Sequence, residues 1–125
     1  MNPIRLAMAL LFLNGSAYAQ KKELMHDKQE IQSRAALAFD AALAPGGALR
    51  VAATQEKLIG RYVLQVSFRD KGAVSSVFVV SADGHDIRSQ NRIKDLVHQL
   101  ELPFKMPKGK QYRIDHTFDL NAIPR

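Results

Sequence analysis

Apolar and polar positions alternate most regularly in the second half of the chain. Arg61 to Arg69 and Ala73 to Ala82 are β-rich runs on either side of Asp70-Lys71-Gly72, a three-residue loop with glycine where a left-handed residue is needed. If Arg69 opposes Ala73, the pairs Tyr62–Val80, Leu64–Phe78, Val66–Ser76 and Phe68–Val74 share one face, apolar except for Ser76. A two-residue turn would set even positions against odd ones and scatter that cluster. The opposite face is polar near the turn, but Val63, Val77 and Val79 gather at its far end as a patch suited to weak self-association into a homo-oligomer, unless the N-terminal helix covers it. Gln111 to Leu120 alternates again, with Tyr112, Ile114, His116, Phe118 and Leu120 on one side. Arg113, Asp115, Thr117 and Asp119 lie on the other, as in an antiparallel strand with one wet face.

Helical spacing fills much of the rest. Ile93, Leu96, Val97 and Leu100 form one stripe, with Asp86 or Ser89 able to cap its start and Pro103 and Pro107 closing it. Residues 21–43 carry Leu24, Ile31, Ala35, Ala38, Phe39 and Ala42 three or four apart, stopped by Ala44-Pro45-Gly46-Gly47. The second half of that face is rich in alanine, so weak docking is expected. Leu49 to Ala53 reads as a short strand or linker. Together these elements predict an α+β fold: a three-stranded antiparallel sheet with one packed helix (ββαβ), preceded by an N-terminal helix.

The start of the chain changes the setting. Arg5 precedes an unbroken apolar run, Leu6 to Leu13, then Asn14-Gly15-Ser16 and the small-residue pattern Ala17-Tyr18-Ala19. This is the layout of a cleavable signal peptide. As a helix, residues 6–19 would reach only about 21 Å against a hydrocarbon core of about 30 Å. The expected division is therefore a signal peptide at 1–19, a helical arm and linker at 20–57, and a globular domain at 58–125, in a periplasmic or secreted protein. Membrane attachment is expected only if the first segment stays uncleaved.

The 125 residues hold 18 Lys and Arg against 12 Asp and Glu, net +6, which falls to +5 without Arg5. An exported protein seldom meets nucleic acid, so none is expected as a partner. The basic residues Arg88, Arg92, Lys94, Lys105, Lys108, Lys110 and Arg113, set against Asp95 and Glu101, read first as a solvated positive surface, with an anionic partner such as lipid head groups or an acidic peptide as the alternative. Absence of cysteine excludes disulfides, thiol catalysis and iron–sulfur clusters. His26, His85, His98 and His116 fall on four separate elements without zinc-ligand spacing, and no serine sits in a nucleophile elbow. His85-Asp86 reads as a solvated turn, and His116 as a hydrogen-bonded core histidine. Pro103 to Pro107 is either a recognition loop or a connection with Phe104 and Met106 tucked inward. No catalytic residue, metal site or cofactor is expected, and the chain is not read as an enzyme.

The stretch from Gly60 to Gly84, with its Asp-x-Gly turn and Val74-x-x-Val77-x-Val79-Val80, resembles the opening hairpin of the TonB C-terminal domain family. The helix ending at Leu100, the connection with Phe104 and Pro107, Lys108-Gly109-Lys110 and a closing strand with Phe118 also fit, so the likeness covers about residues 58–120. The related TolA C-terminal domain has a similar layout. The resemblance implies an envelope module that binds an extended protein or peptide segment beside its last strand. It makes Arg113, Asp115, Thr117 and Asp119 the candidate contact residues. Lys105, Lys108 and Lys110 form the candidate basic surface of the alternative, a peripheral binder of anionic envelope surfaces. A further alternative is an anchored transducer of energy to outer-membrane receptors. The chain departs from that type in its cleavable-looking leader and in having Pro45 as the one proline between Gln20 and Pro103.

Overall fold

A computed structural model describes residues 22–84 and 86–123. The expected signal peptide at 1–19 and the expected turn residue His85 lie outside the described residues. In chain order the elements are β1 (Glu23–Leu24), α1 (Lys28–Leu43), α2 (Ala48–Glu56), β2 (Arg61–Arg69), β3 (Val74–Asp83), α3 (Ile87–His98), β4 (Phe104–Lys105) and β5 (Gln111–Asp119), followed by a 3₁₀ turn at Leu120–Ala122. The fold is α+β, as expected. Its main sheet is antiparallel in the order β3-β2-β5, and β1 pairs in parallel with β4.

The hairpin turn is the expected one. Gly72 N–H donates to Arg69 O at 2.6 Å and Arg69 N–H to Ala73 O at 3.1 Å, with Gly72 at φ 91°. A Cβ at Gly72 would also lie 2.6 Å from Leu102 O, so two independent constraints hold that position to glycine. Phe68 opposes Val74, again as expected, but the register then slips twice. Ser75 and Val80 are extra residues in β3, each opposite no partner, so Val66 pairs with Val77, Leu64 with Val79 and Tyr62 with Ala82. These bulges correct the expected pairs Val66–Ser76, Leu64–Phe78 and Tyr62–Val80. They turn Val77 into the core and leave Phe78 61% exposed on the open face. The expected patch of Val63, Val77 and Val79 is therefore not a patch, because Val77 is buried and Val79 packs against the core.

The helical face of the sheet carries more than one helix. Asp27 caps α1, its carboxylate accepting from Glu30 N at 2.9 Å. Ile31, Ala35 and Phe39, one per turn, are buried against β5. The alanine-rich stretch does not dock weakly: Ala35 is fully buried, and Ala38 and Ala42 pack at the core's margin. Small side chains here let the helix backbone come close to the sheet. Leu49 to Ala53, expected as strand or linker, lies in α2, whose Leu49 and Ala53 are buried. Lys57 ends α2 in the left-handed region at φ 56°, with Leu58 N–H returning to Ala53 O at 3.0 Å. Although Lys28–Glu56 as a whole has the apolar character of a membrane span, the break at Ala44 to Gly47 leaves helices of 16 and 9 residues. Their lengths, about 24 and 14 Å, fall short of a bilayer core, and their apolar sides are used inside the fold, α1 against β5 and α2 against α1 and α3.

On α3, Ile93 and Val97 of the expected stripe are fully buried, with Leu96 and Leu100 half-buried beside them. Asp86 is the cap: it accepts from Ser89 N at 3.2 Å and from Ser89 Oγ at 2.9 Å, while Ser89 Oγ accepts from Ile59 N at 3.0 Å. That chain of bonds ties the entrance of β2 to the start of α3. Phe104 and Met106 are core residues, so Pro103 to Pro107 is a packed connection, held to the hairpin loop by Leu102 N to Gly72 O at 2.8 Å and Met106 N to Asp70 O at 2.7 Å. One contiguous apolar cluster thus runs from Met25 to Ile123.

Candidate functional site

β5 is an edge strand of the main sheet, and its ladder with β2 is unbroken from Arg61–Asp119 to Arg69–Gln111. Its hydrogen-bonding directions follow from the hairpin. Arg69 exchanges its backbone bonds with the β3 side, so alternation turns Phe68, Val66, Leu64 and Tyr62 toward β5, where Tyr112, Ile114, His116 and Phe118 are their partners. The backbone N–H and C=O groups of Gln111, Arg113, Asp115 and Thr117 then point outward from the sheet. Two bonds agree with this alternation: Leu120 N donates inward to Gly60 O at 2.9 Å, and Gln32 Nε2 on α1 donates to the outward Arg113 O at 3.2 Å.

The other edge, β3, is different. It carries both bulges, and its turn end is occupied by the bridge between Ala73 and Glu101. Bulges and covering segments are common ways to disable an edge. β5 has neither a bulge nor a covering strand among the described residues; Gln32 covers one carbonyl.

The residues expected to meet a partner divide in use. Arg113, Asp115 and Thr117 are exposed on the helix-free face of β5. Asp115 accepts from Gln65 Nε2 at 3.3 Å across the strand pair. Asp119 is half-buried and accepts from Asn121 N at 3.0 Å, which caps the final 3₁₀ turn. His116 lies on the helical face with 13% of its side chain exposed, edge-on to Phe118, with Nε2 2.8 Å from Asp40 Oδ1 on α1. It is the expected hydrogen-bonded histidine, and the bond fastens α1 to β5.

The basic run does not form one surface. Arg92 makes a two-pronged bond to Glu56 at 2.7 and 2.9 Å, and Arg88 donates to Glu56 O at 3.1 Å, so both serve the α2–α3 contact. The Arg92 hydrogen bonds, helped by charge attraction and opposed by desolvation, hold the Glu56 carboxyl below its usual range. Lys105 and Lys108 line a small groove with Leu24, Lys71 and Met106. Lys110 lines a separate groove of about 600 Å³ beside the start of β5, with His26, Lys28, Gln32, Gln111, Tyr112 and Arg113. His26, Lys28 and Gln32 were invisible as site residues in the sequence, because α1 reads there as an outlying arm. Among the described residues no group of three His, Asp or Glu side chains is arranged to hold a metal. No family model, no curated protein and no solved structure matches this chain.

Proposed function

We propose that the protein is an exported, non-enzymatic interaction module of the cell envelope that takes up an extended segment of a partner protein as a fourth strand beside β5. The observation that carries this reading is the unbulged β5 edge, where the outward backbone groups of Gln111, Arg113, Asp115 and Thr117 have no partner among the described residues except the Gln32 amide at the Arg113 carbonyl. Strand addition draws affinity from main-chain hydrogen bonds and needs few special side chains. The sequence resemblance to the TonB C-terminal family points the same way, and the leader at 1–19 supplies the envelope location in this reading.

The test is amide exchange on the protein with and without envelope extract, paired with Thr117→Pro. Proline at Thr117 removes an outward N–H and leaves the β2 ladder untouched, a change that edge strands tolerate. New protection across Gln111–Asp119 that disappears in Thr117→Pro, with the circular dichroism spectrum unchanged, is the expected result. Protection confined to other segments, or unaffected by the proline, refutes it.

A further inference from the structure

We infer that the segment accepted at β5 carries carboxylate side chains at the end lying over Gln111–Arg113, an inference that rests on the strand-addition reading. The groove at that end has His26, Lys28, Lys110 and Arg113 as its basic lining residues and no carboxylate among the residues that line it. Among the described residues, the ion pairs are Lys22–Glu101, Arg34–Glu23, Arg92–Glu56 and His116–Asp40, so Lys28, Lys110 and Arg113 are left without an acidic partner. Two carboxylates close in sequence, Asp27 and Asp115, keep their charge but form no ion pair with these cations among the described residues. Asp27 caps α1 through Glu30 N, and Asp115 accepts from Gln65.

Position makes these cations more than a solvated face. The groove lies where an added strand would run past the outward N–H and C=O of Arg113, and Gln32 reaches across it to that carbonyl. An incoming strand whose N–H replaces the Gln32 amide there would pass Lys28 of α1 on its helical side and Arg113 of β5 on its open side, with Lys110 just before the start of β5, so two consecutive side chains of the guest, one on each face, would both meet cations. Farther along the same edge the charge reverses. Asp115 and Asp119 follow Arg113 on the open face, so an acid at the far end of the segment would meet like charge. The edge therefore reads charge at one end only and fixes the register of its guest. Two or three exposed ion pairs of ordinary strength amount to roughly a tenfold preference in binding.

The experiment uses nine-residue peptides of alternating Thr and Val, acetylated and amidated, with a Glu-Glu, Gln-Gln or Lys-Lys pair at one end. Each is also made with the pair at the opposite end, which covers both strand directions. Binding is read by amide exchange and by titration at low and moderate salt. The expected result is protection of Gln111–Asp119 by all peptides, with one end-placed Glu-Glu peptide binding about tenfold more tightly than its Gln-Gln counterpart. That preference falls with salt and inverts toward Lys-Lys in the Lys110→Glu, Arg113→Glu double variant, whose two changes are at exposed positions. Protection of β5 with no distinction between Glu and Gln overturns the inference and leaves strand addition standing. Absence of β5 protection by every peptide overturns both.

Discussion

Phe78 and Val77 offer a direct contest between the two registers of the hairpin. With the bulges at Ser75 and Val80, Val77 is 8% exposed opposite Val66 and Phe78 is 61% exposed on the helix-free face. Truncating Val77 to alanine removes two buried carbon groups, worth about 0.8 kcal/mol each, and leaves a small cavity, so Val77→Ala is expected to cost about 1.5–2.5 kcal/mol. Phe78→Thr keeps a strand-favouring side chain at a wet position and is expected to cost under about 1 kcal/mol. A hairpin without bulges would set Phe78 against Leu64 inside the core, where loss of the ring costs about 3–5 kcal/mol and Val77→Ala almost nothing. The two arrangements thus predict opposite rankings. Urea unfolding followed by circular dichroism separates them, with the denaturant slope serving as a check that both variants unfold from the same compact state. A larger loss for Phe78→Thr than for Val77→Ala would refute the bulged register and the core assigned to β3.

Three further outcomes are expected. Gly72→Ala forces a Cβ onto a residue at φ 91° and within 2.6 Å of Leu102 O; it should cost more than the roughly 1–2 kcal/mol of left-handed strain alone, measured as a lowered Tm. Ser75→Ala should stabilise the fold by about 1 kcal/mol in thermal melts, since the Ser75 hydroxyl is buried at the bulge with no hydrogen-bond partner among the described residues. Glu56 has a folded-state pKa held below its unfolded value, first by the Arg92 hydrogen bonds. The stability it contributes is present above the unfolded pKa and is lost as pH falls through the folded one. Urea midpoints of the parent should therefore drop on going below about pH 5, and Glu56→Gln should flatten part of that fall.

Much of the sheet was legible because alternation is a local property. β5 keeps strict period two from Gln111 to Asp119, so its two faces, its helix-covered side and the exposure of Arg113, Asp115 and Thr117 could all be read from spacing. The hairpin turn was legible for the same reason, since Asp70-Lys71-Gly72 names its own geometry. The bulges were not. The run Val77-Phe78-Val79-Val80 is apolar at every position, so either parity offers the core a greasy side chain, and only packing against Leu64 and Val66 chooses between them. The second helix escaped because Leu49 and Ala53 are its two buried residues and the preceding Pro45-Gly46-Gly47 looks like linker. The edge groove escaped for a third reason. Gln32 and Arg113 stand 81 residues apart, and nothing in the pattern of α1 reveals that its polar side overlooks the start of β5. Charge neighbours made by tertiary packing leave no period in the sequence. An edge strand can therefore be read from its own residues, while the side chains that would select its guest come from an element whose docking has to be seen.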